Sequence, residues 1–225
     1  MSMIEKEVLS PKIPQSSDSG KVYIINKEKA NGSKVYLATK RAFDFILACV
    51  AAIVLALPMA IISVIIKLDS KGPVLFKQER LGKNGELFVI YKFRTMILDA
   101  EDQGPQWAMP NDERCTKVGK LLRACRLDEL PQFINIMRGE MSFVGPRPER
   151  SCFYEEFEKY IHGFSNRLAV TPGLTGLAQV NGGYELSPEQ KIVYDMEYIR
   201  TQNFWLDIKL VFKTFKLIFT HEGAR

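Results

Sequence analysis

The stretch LLRACRLDELPQFINIMRGEMSFVGPRPE, residues 121–149, sets two adjacent carboxylates, Asp128 and Glu129, at the head of an apolar-periodic segment. Pro131 falls within a first helical turn, where a missing N–H goes unnoticed, and Asp128 reads as the N-cap. Gly139 ends the period, and Gly145-Pro146-Arg147-Pro148 forces a rigid turn that holds one guanidinium on a fixed backbone. Arg123 precedes Asp128 by five residues. A carboxylate pair bracketed by arginines beside a helix dipole suits a phosphorylated substrate and a divalent cation. Each residue also has an ordinary use as a cap, a first-turn acid or an ion-pair partner, so the rest of the chain must decide.

Composition narrows the choice. The 225 residues suffice for one sizeable core, or for a membrane element plus a compact domain. A net charge of +5 favours anionic surfaces such as phosphates or lipid headgroups, but is too small and scattered for nucleic acid. Cys49, Cys115, Cys125 and Cys152 show no CxxC spacing, and the two histidines are far apart. Neither a zinc site nor a disulfide framework is indicated, which fits a reducing compartment.

The apolar residues are unevenly placed. Residues 1–35 read as a mobile polar tail without the order of a signal peptide, carrying one weak strand at Val22–Ile25. Ala42 to Ile66 follows, 25 residues with Asp44 and Ser63 as the only polar side chains, long enough to span a bilayer. Pro58 interrupts it two thirds along, and lysines or arginines flank both ends (Lys34, Lys40, Arg41; Lys67, Lys71), whereas a simple crossing biases them to one side. The expectation is a re-entrant membrane helix over residues 36–70, broken at Pro58, with a straight span as the alternative.

Residues 71–225 then read as a further domain. Val74–Glu79 and Leu87–Phe93 flank Gly82-Lys83-Asn84-Gly85, the pattern of a β-hairpin with an Asn-Gly turn, and Lys77, Arg80, Lys92 and Arg94 make it basic. Residues 99–114, with Trp107, are a polar loop. Helical periodicity marks Thr116–Arg126, Ser151–Tyr160 and Pro188–Thr201, while Pro172, Gly173, Gly176, Gly182 and Gly183 break residues 170–183 into turns. Over Phe204–Phe219, Trp205, Ile208, Phe212, Phe215 and Phe219 form one stripe beside Lys209, Lys213 and Lys216. Such a helix either lies in a membrane interface or packs on the domain core, since both uses need the same pattern. The fold class is therefore α+β: a mostly helical, membrane-associated domain with a re-entrant N-terminal helix, a small hairpin and interfacial amphipathic helices.

Three blocks, QERLGKNGELFVIYKFRTM (78–96), LDELPQFINIMRGEMSFVGPRPE (127–149) and TPGLTGLAQVNG (171–182), resemble in order those of the bacterial sugar transferases. These are monotopic phosphoglycosyl transferases that prime glycan and exopolysaccharide assembly. The resemblance implies transfer of a sugar 1-phosphate from a UDP-sugar to polyprenyl (undecaprenyl) phosphate, with Mg²⁺ and a covalent aspartyl-phosphosugar intermediate. It makes Asp128 and Glu129 the catalytic, metal-binding dyad, sets Arg123 and Arg147 in the phosphate site, and matches Pro58 to the break in the membrane helix. Within or beside these blocks Lys92, Arg94, Pro146, Glu149, Gln179 and Asn181 are candidate substrate-binding residues. It further implies an inner-membrane location with the catalytic domain on the cytoplasmic face, the bilayer as partner, and a homodimer or downstream glycosyltransferases as candidate partners. The chain departs from the family pattern at Arg126, where many relatives carry a small hydroxyl residue, and at Gly183, where an arginine is frequent. A non-catalytic membrane-docked binding protein and a metal-dependent sugar-nucleotide phosphohydrolase are the alternatives.

The chemistry fits these residue types. Two anionic substrates repel one another, and a carboxylate nucleophile splits the transfer so that one leaves before the other arrives. Nearby cations must then neutralise the diphosphate that a carboxylate attacks.

Overall fold

A computed structural model describes residues 22–101 and 112–220, and Trp107 of the polar loop, the side chain of Phe219 and most of the N-terminal tail lie outside the described residues. Chain order runs β1 (Tyr23–Ile24), α1 (Lys34–Val54), α2 (Ala56–Asp69), β2 (Leu75–Leu81) and β3 (Leu87–Phe93). It continues with α3 (Lys117–Ala124), a 3₁₀ turn (Leu127–Gln132), α4 (Phe133–Arg138), β4 (Ser142–Val144), α5 (Ser151–Glu158) and β5 (Ile161–His162). A second 3₁₀ turn (Phe164–Ala169), β6 (Gly173–Thr175), α6 (Leu177–Val180), α7 (Pro188–Thr201) and α8 (Phe204–Thr220) complete the described elements named here. The architecture is mixed helix and strand, as the α+β reading requires.

The hairpin forms where the turn chemistry put it. Asn84 (φ 57°) and Gly85 (φ 81°) take the left-handed conformations that these residue types tolerate, and β2 and β3 pair antiparallel from Leu81↔Leu87 to Leu75↔Phe93. Two short parallel pairs, β1–β5 and β4–β6, tie distant segments together. The weak strand expected near Val22–Ile25 is β1, and the backbone of Asn31 donates to Ile199 O at 2.9 Å, so the last part of the stretch read as a tail is fastened to the domain.

The apolar stretch bends by 61° between α1 and α2, and the break is at Leu55 rather than at Pro58. Pro58 sits in the first turn of α2. Lacking an N–H, it leaves the Val54 carbonyl without its partner four residues on, while Leu55 N still reaches Ala51 O (2.9 Å) and Met59 N reaches Leu55 O (2.8 Å). The helix therefore opens one turn before the proline that opens it. Among the described residues no single helix is long and apolar enough to cross a bilayer, though the bent pair has the length and composition together.

Three apolar clusters hold the domain. The largest joins Tyr154, Phe157, Phe164, Ile192, Ile199 and Leu210 from α5, the second 3₁₀ turn, α7 and α8. A second packs Ala48 of α1 against Phe88, Ile90, Phe133 and Ile136, and a third packs Ile62 and Ile66 of α2 against Phe93 and Leu122. Leu130 touches both of the last two, so the residue after Glu129 is wedged between the bent helix pair and the hairpin.

Candidate active site

Local chain geometry sets up the acidic pair. Thr116 caps α3, its hydroxyl accepting from Gly119 N at 2.9 Å. Gly119 is the one residue that fits there, because a Cβ would collide with the Thr95 carbonyl. That close approach lets Arg123 Nε donate to Thr95 Oγ1 at 2.9 Å. α3 ends at Cys125, Arg126 turns left-handed (φ 56°), and the chain restarts as the 3₁₀ turn Leu127–Gln132. Asp128 is thus inside that turn and is not the N-cap expected from sequence. The left-handed Arg126 starts the turn early, and Arg126 itself occupies the cap position.

Asn135 locks this segment to the hairpin. Fully buried, it accepts from Tyr91 N (3.1 Å) and donates to Val89 O and to Glu140 Oε2 (both 2.7 Å). The lock brings Lys92 Nζ within 2.9 Å of Glu129 Oε1, and Arg147 donates to the same oxygen. Arg147 is fixed from behind: Arg167 donates to its carbonyl at 2.9 Å and pairs with Asp195 at 2.6 Å, both charges in that pair being almost wholly buried.

These groups line a cavity of about 720 Å³. Among the described residues it draws on eleven lysines and arginines but only four carboxylates, Glu101, Asp128, Glu129 and Glu149, so its field favours polyanions. Burial pushes the Asp128 carboxyl up to about 6, against the pull of Lys92, and the neighbouring Glu129 charge adds to the rise. Burial acts on Glu129 too, but Arg147 and Lys92 outweigh it and hold that carboxyl well below the usual range. One member of the pair is poised to take or lose a proton while the other stays ionised.

The sequence-derived candidates divide. Asp128, Glu129, Lys92, Arg123, Arg147, Glu149 and Gln179 share the cavity. Arg94 borders it but spends its donors on Ser70 O (2.7 Å) and Lys71 O (2.6 Å), clamping the end of α2. Glu149 pairs with Arg80 at 3.1 Å. Pro146 lends its carbonyl to Gly173 N (2.9 Å), and exposed Asn181 donates to Leu177 O (2.8 Å), ending α6. Neither of these two lines the cavity.

Two buried cations of the cavity escaped the sequence reading. Lys191 and Arg167 are buried and face it, and burial pulls the Lys191 ammonium down to about 8. A signal existed: Lys191 and Asp195 fall on the same inward stripe of α7 as Ile192 and Ile199, and charges on an apolar stripe mark a buried polar site.

The fold and site together define a mixed helix-and-strand chain with a buried acidic pair in a cavity where cations outnumber carboxylates. The family model for bacterial sugar transferases matches residues 35–221, and the chain belongs to that family. It is 46% identical over 197 residues to the UDP-N-acetylgalactosamine-undecaprenyl-phosphate N-acetylgalactosaminephosphotransferase of Aeromonas hydrophila, a match covering 86% of this chain and 46% of the relative. A UDP-glucose:undecaprenyl-phosphate glucose-1-phosphate transferase of Escherichia coli is 41% identical over 190 residues, covering 82% and 41% of the two chains. The Caulobacter vibrioides protein of the same description is 39% identical over 190 residues, covering 82% and 71%. The chain thus spans less than half the length of the first two relatives.

Proposed function

We propose that this chain transfers a sugar 1-phosphate from a UDP-sugar to undecaprenyl phosphate, releasing UMP, as the first membrane step of polysaccharide or glycoconjugate synthesis. The observation that carries the reading is a buried Asp-Glu pair, one carboxyl raised and its neighbour held ionised, within a cavity dominated by cations. The names of the relatives supply the substrate classes.

In this reading ionised Asp128 attacks the β-phosphorus of the donor. The bond from that phosphorus to the bridging oxygen breaks, and UMP departs with the electron pair. A phosphate oxygen of the acceptor then attacks the same phosphorus, the Asp128–phosphorus bond breaks, and the carboxylate is regenerated. Lys92 and Arg147, drawn together on Glu129, oppose the negative charge that would otherwise repel both substrates. Arg123, oriented by Thr95, supplies a further cation.

The donor set fits Mg²⁺. Among the described residues no third acidic, histidine or cysteine ligand joins the pair, so a cation there would rely on Asp128 and Glu129 and fill its shell with phosphate oxygens and water. Bound Mg²⁺ would neutralise diphosphate charge at the reacting phosphorus.

A re-entrant seat in the cytoplasmic face of the inner membrane is supported by the bent pair, whose outer side chains are strongly exposed (Ile53 76%, Leu68 82%). Trp205 at 77% and Phe212 at 71% extend that apolar surface along α8, and Phe204 meets Phe43 edge-on, joining the two helices. The division into a membrane helix at 36–70 and a catalytic domain from residue 71 belongs to the same proposal.

The test is UMP release from a panel of UDP-sugars with Mg²⁺, with and without undecaprenyl phosphate, for wild type and Asp128→Ala. Acceptor-dependent UMP, lost in the variant, is the expected result. Steady acceptor-independent turnover would make the protein a hydrolase instead, and silence from folded protein across the panel would favour a binding role.

A further inference from the structure

A second cavity, about 200 Å³, lies between the bent helix pair and α4. Ala52, Met59 and Ala60 form one wall, and Phe133, Ile134 and Met137 the other. Its one hydroxyl, on Ser63, is turned onto the Met59 carbonyl at 2.7 Å. The groove therefore offers a ligand nothing to hydrogen-bond, and a sugar, a nucleotide or a peptide backbone placed in it would bury unpaired polar groups. Only hydrocarbon fits that chemistry.

The groove abuts the charged cavity. Leu75 and Phe93 line both spaces. Phe93 follows Lys92 in the chain, and Leu130 follows Glu129, so two of the groove's apolar walls are the immediate neighbours of the two groups that form the ion pair at the dyad. A molecule entering both spaces must be anionic at one end and hydrocarbon directly behind it. The outward faces of α1 and α2 are apolar and exposed beyond the groove, with Leu57 at 71%.

We infer that this groove holds the isoprene units next to the phosphate of the lipid acceptor, while the remainder of that chain stays in the bilayer. The inference rests on the transferase reading and adds the acceptor's seat. Ala52 and Ala60 create the space by ending at Cβ, and large side chains there would fill it.

The test uses Ala60→Phe and Ala52→Phe variants of this chain in lipid nanodiscs, with melting curves to establish folding. The expected outcome is a rise of about tenfold or more in KM for undecaprenyl phosphate, from loss of a few buried carbons. The single-turnover UMP burst from donor alone should be unchanged. An unchanged KM in folded variants would overturn the inference. Should neither variant fold, wild type with a diazirine-bearing farnesyl phosphate decides: adducts within residues 52–63 or 130–137 support the groove, and adducts confined to α8 or the N-terminal half of α1 overturn it. If wild type instead releases no UMP from any donor, the transferase reading fails by itself, and the labelling pattern still reports on the groove.

Discussion

Lys92 Nζ stands 2.9 Å from Glu129 Oε1, joining the open end of the hairpin, where Lys92 pairs with Phe76, to the acidic pair across 37 residues of chain. The contact makes the hairpin part of the site. Its ammonium is also one of two cations holding Glu129 ionised.

Replacing Lys92 with methionine keeps the apolar stem and removes the charge. Glu129 then retains Arg147 but loses half its compensation in a buried setting, a change worth about 2–5 kcal/mol for a desolvated charge pair. Turnover should fall by roughly 10²-fold or more, with Lys92→Arg recovering part of it. Steady-state UMP release measures both, and full activity in Lys92→Met would remove this residue from the charge balance.

Asp128 carries a stability penalty that follows from its raised carboxyl. The folded-state value, about 6, lies above the ordinary one, so the stability linked to the protonated form is intact below about pH 4 and lost as pH rises through 6. At pH 7 the whole penalty is present. Asp128→Asn, isosteric and neutral, should therefore be inactive yet more stable at pH 7, by up to about 2–3 kcal/mol, with the advantage vanishing near pH 4. Melting temperatures of both proteins across pH 4–7 check the sign.

Arg126 is a non-glycine residue in left-handed conformation two positions before Asp128. Such backbone costs about 1–2 kcal/mol relative to glycine. Arg126→Gly should be more stable than Arg126→Val by about 1 kcal/mol or more, both variants lacking the guanidinium, since branching at Cβ fits that region worst. Urea titration reads both, and equal midpoints for the two variants would show that the φ of Arg126 does not limit stability.

How much of this was written in the sequence depends on the range of the interaction. The hairpin was legible because Asn84-Gly85 and its flanking strands are local, and α7 because Ser187 and Gln190 form a reciprocal cap around Pro188. The acidic pair stood out through its family motif, and the structure places both carboxylates in the charged cavity. The break at Leu55 was misplaced because proline acts on the carbonyl four residues earlier, so its effect appears upstream of its cause. The Arg167–Asp195 pair, the Asn135 lock and the approach of Lys191 join residues 28 to 46 apart, or whole elements, and no local periodicity encodes such meetings.

Asp207 of α8 binds three elements at once. Oδ2 accepts from Tyr36 (2.9 Å) and Lys40 (2.7 Å) of α1, and Oδ1 accepts from Tyr198 of α7 (2.8 Å). Asp207→Asn leaves Lys40 facing an uncharged partner in a mostly buried pocket, which should cost about 2–4 kcal/mol. Amide hydrogen exchange would show faster opening over residues 34–44, whereas an unchanged profile would mean that the other ties of α1, among them Arg41 to the Ile136 and Met137 carbonyls and Asp44 to Phe143 N, hold it without Asp207.

Two groups of the cavity, Asp128 and Lys191, set a pH profile for transfer. Asp128 must be ionised to act as the proposed nucleophile, so kcat/KM should climb as pH rises through about 6. Burial, opposed by Glu149, pulls Lys191 down to about 8, so above that pH the cavity loses a cation and its hold on an anionic donor weakens. The expected profile is a bell with its maximum near neutrality. Lys191→Met should lower the plateau and flatten the alkaline limb while leaving the acid limb in place, because Asp128 answers mainly to its own burial. An alkaline limb that survived the substitution would assign it to a different group, and an acid limb that moved with it would couple Lys191 directly to Asp128.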